Sequence, residues 1–396
     1  MKNLIGLFIL SLLSNHAWAV ISQFNADMDA GVFESANCLN CGAQANSKIT
    51  LRDSLKISQE THCQVEISES QYSYVSGLQS NLQYSVNEVI PGEFYCDFKN
   101  NQWKFSLGAR SLEMSQNIGP QATEIFQAYD YRSTIFVDSR YRYTQPMIKA
   151  DYFGTDSTVT LIGATSPSFN QYSQDLWANS PVPVSSTSSN VQNLDLGARV
   201  NFSHSGYDFS VSAFNLQDRT PQPVFNSTVN QIQLHHDLMS TYGFGVTHAI
   251  MGGVGRFDFQ YIQNRNVSNS TFSAISTNQN AWTIGYDTPT VWNSIFYFQI
   301  TNLSVININF KPYLDPKLEY LSVKIAHPIP KVGTIDFTAF QSVYDNSSAF
   351  KLDFSWAASK TLDVHIGEEL YSIDKTQELA NYYNATKTYL DVLGHL

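Results

Sequence analysis

Three groups of residues in this 396-residue chain have the types and spacing that could do chemistry. His235-His236 and His248 lie near Asp237 and many serines, but nucleophilic hydrolysis needs a nucleophile, a base and an orienter brought together. No Gly-x-Ser-x-Gly element is present, and histidines on strands belong more often to a rim or lumen, so an enzyme is not expected. Cys38-Leu39-Asn40-Cys41 has the spacing of a redox or zinc pair. Without a second pair or a nearby histidine it reads better as a structural bridge. The third group is Tyr129 to Lys149, where Arg132, Arg140, Arg142 and Lys149 alternate with Tyr129, Tyr131, Tyr141 and Tyr143. Arginine forks grip carboxylates at two points, and tyrosine faces and hydroxyls suit sugar rings or organic acids. The chemistry offered is recognition of small polar and anionic solutes rather than bond breaking.

The elements that must position these groups are strands. Leu194, Leu196, Ala198, Val200 and Phe202 fall on one face of Asn193 to Phe202, and Asn193, Asp195, Arg199 and Asn201 on the other. Leu352, Phe354 and Trp356 against Lys351, Asp353 and Ser355 repeat the pattern, as do Phe296, Phe298 and Ile300. Ten-residue segments of this kind, separated by turns and carrying aromatics on the apolar face, predict an all-β, transmembrane, antiparallel up-and-down β-barrel. Five strands before Gln145 and thirteen after it give about eighteen, with sixteen as the alternative.

On that alternation Arg110, Lys149, Asp151, Asp195, Arg199, Arg256, Asp258, Lys324, Asp336, Lys351, Asp353, Asp363, His365 and Glu369 point inward. A charge at bilayer depth costs a few kcal/mol on the lipid face, so a lumen address is expected. Two readings stand side by side. The charges pair across strands and stiffen a wet interior, or some of them ring a constriction that selects solutes.

Residues 1–19 combine Lys2, an apolar stretch from Leu4 to Leu13, and Ala17-Trp18-Ala19, the form of a cleaved export signal. Residues 20–396 are then a single barrel domain in the cell outer membrane. No later stretch has the eighteen or so apolar residues of a membrane helix. The net charge of -11 is spread along the chain with no basic run, which argues against nucleic-acid binding. No metal or cofactor is implied. Four cysteines in an exported chain favour disulfides, and a hairpin centred near Gln79 sets Cys63 opposite Cys96 near the periplasmic rim.

Short turns should face the periplasm and long loops the outside. The turns are placed at 154–156, 204–206, 251–253, 288–292, 328–332 and 358–360. The outer loops are placed at 166–192, 218–228, 265–277, 303–314, 345–347 and 373–383. This parity requires Val229 to Ile250 to be one long strand, although Met239-Ser240 equally suits a turn. Pro91 marks a bulge or break in the fourth strand.

Gly92 to Gly119 (GEFYCDFKNNQWKFSLGARSLEMSQNIG) and Tyr129 to Phe169 (YDYRSTIFVDSRYRYTQPMIKADYFGTDSTVTLIGATSPSF) resemble the alginate-export-like group of outer-membrane channels and their porin-like relatives. The match covers about a fifth of the chain. It implies a barrel that passes organic solutes, in some members anionic sugars. This chain has Gly108-Ala109-Arg110 where the relatives have Gly-Arg-Gln, so that arginine's role does not carry over. The expected function is a porin-like channel, monomeric or in a small homo-oligomer, for small polar and anionic solutes. The alternative is a structural or surface-binding barrel with a closed lumen.

Overall fold

The computed structural model describes residues 23–35, 42–76, 83–112, 123–129, 131, 136, 142–165, 168–170, 184–185, 194–306, 309–313, 316–359, 362–373 and 385–394. The chain opens with β1 (Gln23–Ser35), β2 (Gly42–Lys56), β3 (Thr61–Ser76), β4 (Gln83–Asn100) and β5 (Trp103–Arg110). Two short elements, β6 (Ala128–Tyr129) and β7 (Arg142–Tyr143), precede β8 (Gln145–Phe153) and β9 (Ser157–Ala164). Then come β10 (Val184–Ser185), β11 (Asp195–His204), β12 (Tyr207–Gln217), β13 (Gln222–Asn226), β14 (Gln231–His235) and β15 (Leu238–Ile250). The remainder is β16 (Gly253–Ser268), β17 (Ala274–Asp287), β18 (Ile295–Ile306), β19 (Leu318–Ile329), β20 (Gly333–Ser342), β21 (Ser348–Ser359), β22 (Leu362–Ser372) and β23 (Ala385–Gly394).

All but the five short elements form one sheet of 18 strands, each antiparallel to its neighbours in chain order. β1 pairs with β2 on one side and with β23 on the other, from Ala26 opposite Gly394 to Ser35 opposite Ala385. Such pairing leaves the first strand no open edge to template aggregation. β6 pairs with β7, and β10, β14 and β13 form a small separate sheet.

The wall is inverted relative to a soluble protein. Ile148 and Leu196 are 61% and 53% exposed, whereas Met147 and Asp195, one residue away, are 4% and 0%. Burying an isoleucine or leucine is worth about 2 kcal/mol, so a sheet that turns these side chains outward wherever they are described needs a solvent of hydrocarbon. Trp103, Phe153, Phe202, Tyr207 and Trp356 stand exposed near the short-turn ends of their strands, where aromatic girdles meet the membrane interface.

Two-residue turns close the short side. Ser205-Gly206 and Met251-Gly252 have positive φ at both positions (51° and 82°, 50° and 77°), the geometry that matches hairpin twist and makes glycine the natural second residue. Cys63 lies opposite Cys96 across β3 and β4, and the two are joined in a disulfide with Cα atoms 4.0 Å apart. Cys38 and Cys41 lie outside the described residues. The register shifts between Val65 and Ile67 opposite Pro91, where proline supplies no amide to the ladder.

Two expectations are corrected. Val229 to Ile250 is not one strand: Gln231–His235 pairs with Gln222–Asn226 in an outer hairpin, and the wall strand starts at Leu238. The alternation runs through both pieces, but the chain leaves the wall at His236 and Asp237. The loop expected at 265–277 shrinks to 269–273 because β16 and β17 stay paired out to Ser268 and Ala274. The Asn269 side chain holds that tight turn, its Oδ1 accepting from the Thr271 and Ser273 amides at 3.0 and 2.9 Å.

Candidate functional site: an inward segment and the charges around it

The described part of 123–143 lies inside the wall. The Glu124 carboxylate accepts from the Phe126 and Gln127 amides, both at 3.1 Å, and folds a tight turn. Gln127 then acts as a local brace: its Nε2 donates to the Ala128 and Tyr143 carbonyls (2.9 and 2.7 Å) and its Oε1 accepts from the Leu112 amide (2.9 Å). These bonds hold β6 and β7 together, with the Arg142 guanidinium 6.0 Å from the Tyr129 ring centroid.

Apolar contacts seat the segment. Ile125 and Phe126 pack with Met147, Ile162, Phe214, Leu216, Met239, Ile262, Ala281 and Leu303, the inward apolar residues of the arc from β8 to β18. Phe136 packs with Tyr320, Phe340, Ala349, Tyr371 and Ile373 on the arc from β19 to β22. The described residues of the segment thus touch two arcs of the wall, at Phe126 and at Phe136. Phe126, 2% exposed, contributes roughly 2–3 kcal/mol by burial alone.

A buried polar knot pins the first contact. Arg219, just past β12, donates from Nε to the Phe126 carbonyl (2.9 Å), from Nη1 to the Gln217 carbonyl (3.1 Å), and from Nη2 to Gln145 Oε1 (3.0 Å) and Asp195 Oδ2 (2.6 Å). Asp195 also accepts from Gln145 Nε2 and the Gln217 amide at 2.8 and 2.9 Å. Next to it, Arg265 Nε donates to Asp218 Oδ2 (2.6 Å) and Nη1 to Gln279 Oε1 (2.9 Å). Neither Arg219 nor Arg265 was among the sequence candidates. The one usable signal was Asp195 opening β11 beside an Asp-Arg pair closing β12.

Most of the candidate charges meet an opposite charge on their own or a neighbouring strand. Lys149 holds Asp151 at 2.6 Å, and Asp151 also accepts from Thr160 at 2.7 Å. Arg256 pairs with Asp287, Lys324 with Asp336 (3.9 Å) and Lys351 with Glu369 (3.3 Å). Asp353 meets His365 at 3.1 Å and accepts from the Tyr389 hydroxyl at 2.5 Å. Arg110 lies 4.4 Å over the Tyr95 ring and 3.9 Å from Asp97. Gly108, at φ 135°, lets β5 lie close against β4 at this point: a Cβ there would sit 2.1 Å from the Phe94 carbonyl oxygen. Arg199 and Asp258 line one cavity. Arg132 and Arg140 lie outside the described residues.

The histidines do not assemble. His236 stacks on Phe169 with ring centroids 3.5 Å apart and donates from Nδ1 to the Asp218 carbonyl at 2.9 Å. Burial pushes its pKa down to about 4, so it is neutral at physiological pH. His248 stands at the other end of β15, stacked on Tyr207 and bonded to the Gly206 carbonyl at 2.8 Å. Asp237 accepts from Asn266. Among the described residues no cluster of metal-ligating side chains occurs.

The chain matches no known family profile and no curated protein sequence. Its fold is similar to solved outer-membrane porins. Pseudomonas aeruginosa OccK8 (OprE) aligns with a TM-score of 0.55 at 11% identity over 94% of this chain and 97% of the other. Acinetobacter baumannii OccAB3 gives 0.55 at 7% identity over 94% and 98%. Salmonella typhi OmpF, solved in complex with daunomycin, gives 0.50 at 9% identity over 94% and 96%.

Proposed function

We propose that this chain is an outer-membrane channel through which small polar solutes diffuse, and that the inward segment 123–143 sets the width and preference of its bore. The observation that carries this reading is the seating of Phe126 and Phe136 on two different arcs of the inner wall. A segment held in that way narrows the passage at a fixed place. The porin fold of the structural neighbours supports the same reading. Export by residues 1–19, a mature chain starting at Val20, kinship with alginate-export-like channels, and a monomeric or small homo-oligomeric state belong to the proposal.

The finer part is an anion preference, for sugar acids or organic acids. The ion pairs found along the wall leave most of the bore balanced. Net selectivity then falls to Arg132, Arg140 and Arg142 with their tyrosines, Lys149 being held by Asp151. Purified protein in planar bilayers should conduct, with reversal potentials favouring anions, and Arg140→Ala with Arg142→Ala should reduce that preference. Cation preference refutes the arginine assignment. The two apolar clusters inside the wall also suit a second reading, a structural barrel with a closed lumen, and absence of conductance would establish it.

A further inference from the structure

The short-turn half of the bore, between β11 and β16, holds a cavity of about 690 Å3. Ser210 of β12 and Gly245 of β15 line its floor, and the next inward pair on the same two strands, Ser212 and Gly243, lies just beyond it. A Cβ at Gly243 would lie 2.4 Å from both Gln260 Nε2 and Ser212 Oγ. One at Gly245 would lie 2.5 Å from Ser210 Oγ and 2.6 Å from Asp258 Oδ1. The two bare positions therefore let Gln260 and Asp258 of β16 lean across β15 toward the serines of β12.

Arg199 of β11 stands on the far side of this recess. The register runs from Arg199 to Ser212, Gly243 and Gln260, three strand spacings or roughly 14 Å. Arg199 Nε donates to Asn201 Oδ1 at 2.9 Å, which fixes the plane of the guanidinium. Asp258 and Glu124 are both close enough to act on the Arg199 charge, and Arg199 and Arg256 on that of Asp258. Arg199 and Asp258 face the recess together with Asp156, Asp208 and Arg256, the last of which is paired with Asp287. At its upper end buried Thr123, from the inward segment, closes over a void of about 10 Å3 that Arg199, Asp258 and Gln260 also line. Gln260, 9% exposed, has a buried Oε1 with no hydrogen-bond partner among the described residues. A buried acceptor of this kind costs about 1–3 kcal/mol until a donor reaches it.

We propose that this recess is a binding subsite for a small zwitterion, an α-amino acid or close analogue, with its carboxylate on Arg199 and its ammonium shared between Asp258 and Gln260 Oε1. An anion held on Arg199 alone would sit beside Asp258 and within reach of Glu124, and a cation held on Asp258 alone would sit within reach of Arg199. Only a molecule carrying both signs meets its opposite at each end. The void above Gln260 is large enough for a single water; the ammonium supplies the donor that Oε1 lacks. The proposal rests on the bore admitting polar solutes from at least one side.

Calorimetric titration of the detergent-purified protein with L-glutamine, propionate and ethylamine tests it without requiring conductance. L-Glutamine should bind at least tenfold tighter than either single-charge probe. Asp258→Asn should weaken it tenfold or more, and Gly245→Val, which fills the floor, should abolish it. Gln260→Met keeps the volume, removes the acceptor and should weaken binding several-fold in a barrel whose heat-shifted gel mobility is intact. Propionate binding as tightly as L-glutamine overturns the proposal, as does an unaltered affinity in Gln260→Met. Bilayer conductance without L-glutamine binding removes the recess and leaves the channel; binding without conductance does the reverse.

Discussion

Replacing Arg219 with methionine tests whether the polar knot holds the inward segment. The guanidinium is about 4% exposed and its partner Asp195 is 0% exposed. Arg219→Met keeps the length of the side chain and leaves the Asp195 carboxylate without its cation, a change worth about 3–5 kcal/mol for a buried pair. The Phe126 and Gln217 carbonyls each lose a donor as well, adding about 1 kcal/mol apiece where water does not replace it. A second substitution separates the pair from the fold: in Asp195→Leu with Arg219→Met no uncompensated charge remains, and most of the loss should return. The assay is urea unfolding in detergent followed by tryptophan fluorescence, with single-channel recording on the same preparations. Arg219→Met should unfold several kcal/mol more easily and show a noisier open state, because Phe126 loses its backbone anchor. A change under about 0.5 kcal/mol, or a double variant no better than the single one, would refute the reasoning.

Three further outcomes follow from the same geometry. Phe126→Ala removes a ring packed 5.9 Å from that of Phe214 and should cost about 3–5 kcal/mol by calorimetry, and an unchanged conductance would mean that the segment does not bound the bore. Peptide mass spectrometry without reductant should find Cys63 joined to Cys96; changing both to serine frees a loop of sequence separation 33 and should lower stability by about 3–4 kcal/mol in the chain-entropy picture. His236 titrates at about 4 when folded and near 6.5 when unfolded, so the unfolded chain binds more protons between those values. Stability should therefore fall as pH drops from about 6.5 toward about 4, by up to about 3 kcal/mol, among Asp218, Asp237 and Arg219. His236→Phe should flatten that slope, and a slope equal to wild type would place the titration elsewhere.

The wall was readable from sequence because its signal is local. Each of Leu194, Leu196 and Phe202 declares its face by its neighbours two residues away, and Ser205-Gly206 and Met251-Gly252 punctuate the pattern at fixed intervals. The Cys63–Cys96 register followed from the same counting. Alternation says which face a residue takes and nothing about which strand it meets. Gln231–His235 therefore passed for a piece of wall although its partner is Gln222–Asn226. The inward segment was visible only as a cluster of arginines and tyrosines. Its fastening depends on Ile125-Phe126 reaching Phe214, and on Arg219 reaching a carbonyl 93 residues earlier, contacts with no period to betray them. The recess at Gly243 and Gly245 was hidden for a different reason. Two glycines in a strand read as weak strand formers until the side chains crossing them are known.

The two phenylalanine seats have a consequence for the conditions under which the aperture keeps its shape. Burial fastens both ends, and the Arg219–Asp195 pair at the Phe126 end is itself out of water, so raising the ionic strength to seawater levels leaves Phe126 and Phe136 in place while it screens the exposed Lys324–Asp336 couple. Temperature acts the other way round: apolar grip weakens on cooling, so the strap is held less firmly in the cold than in brine.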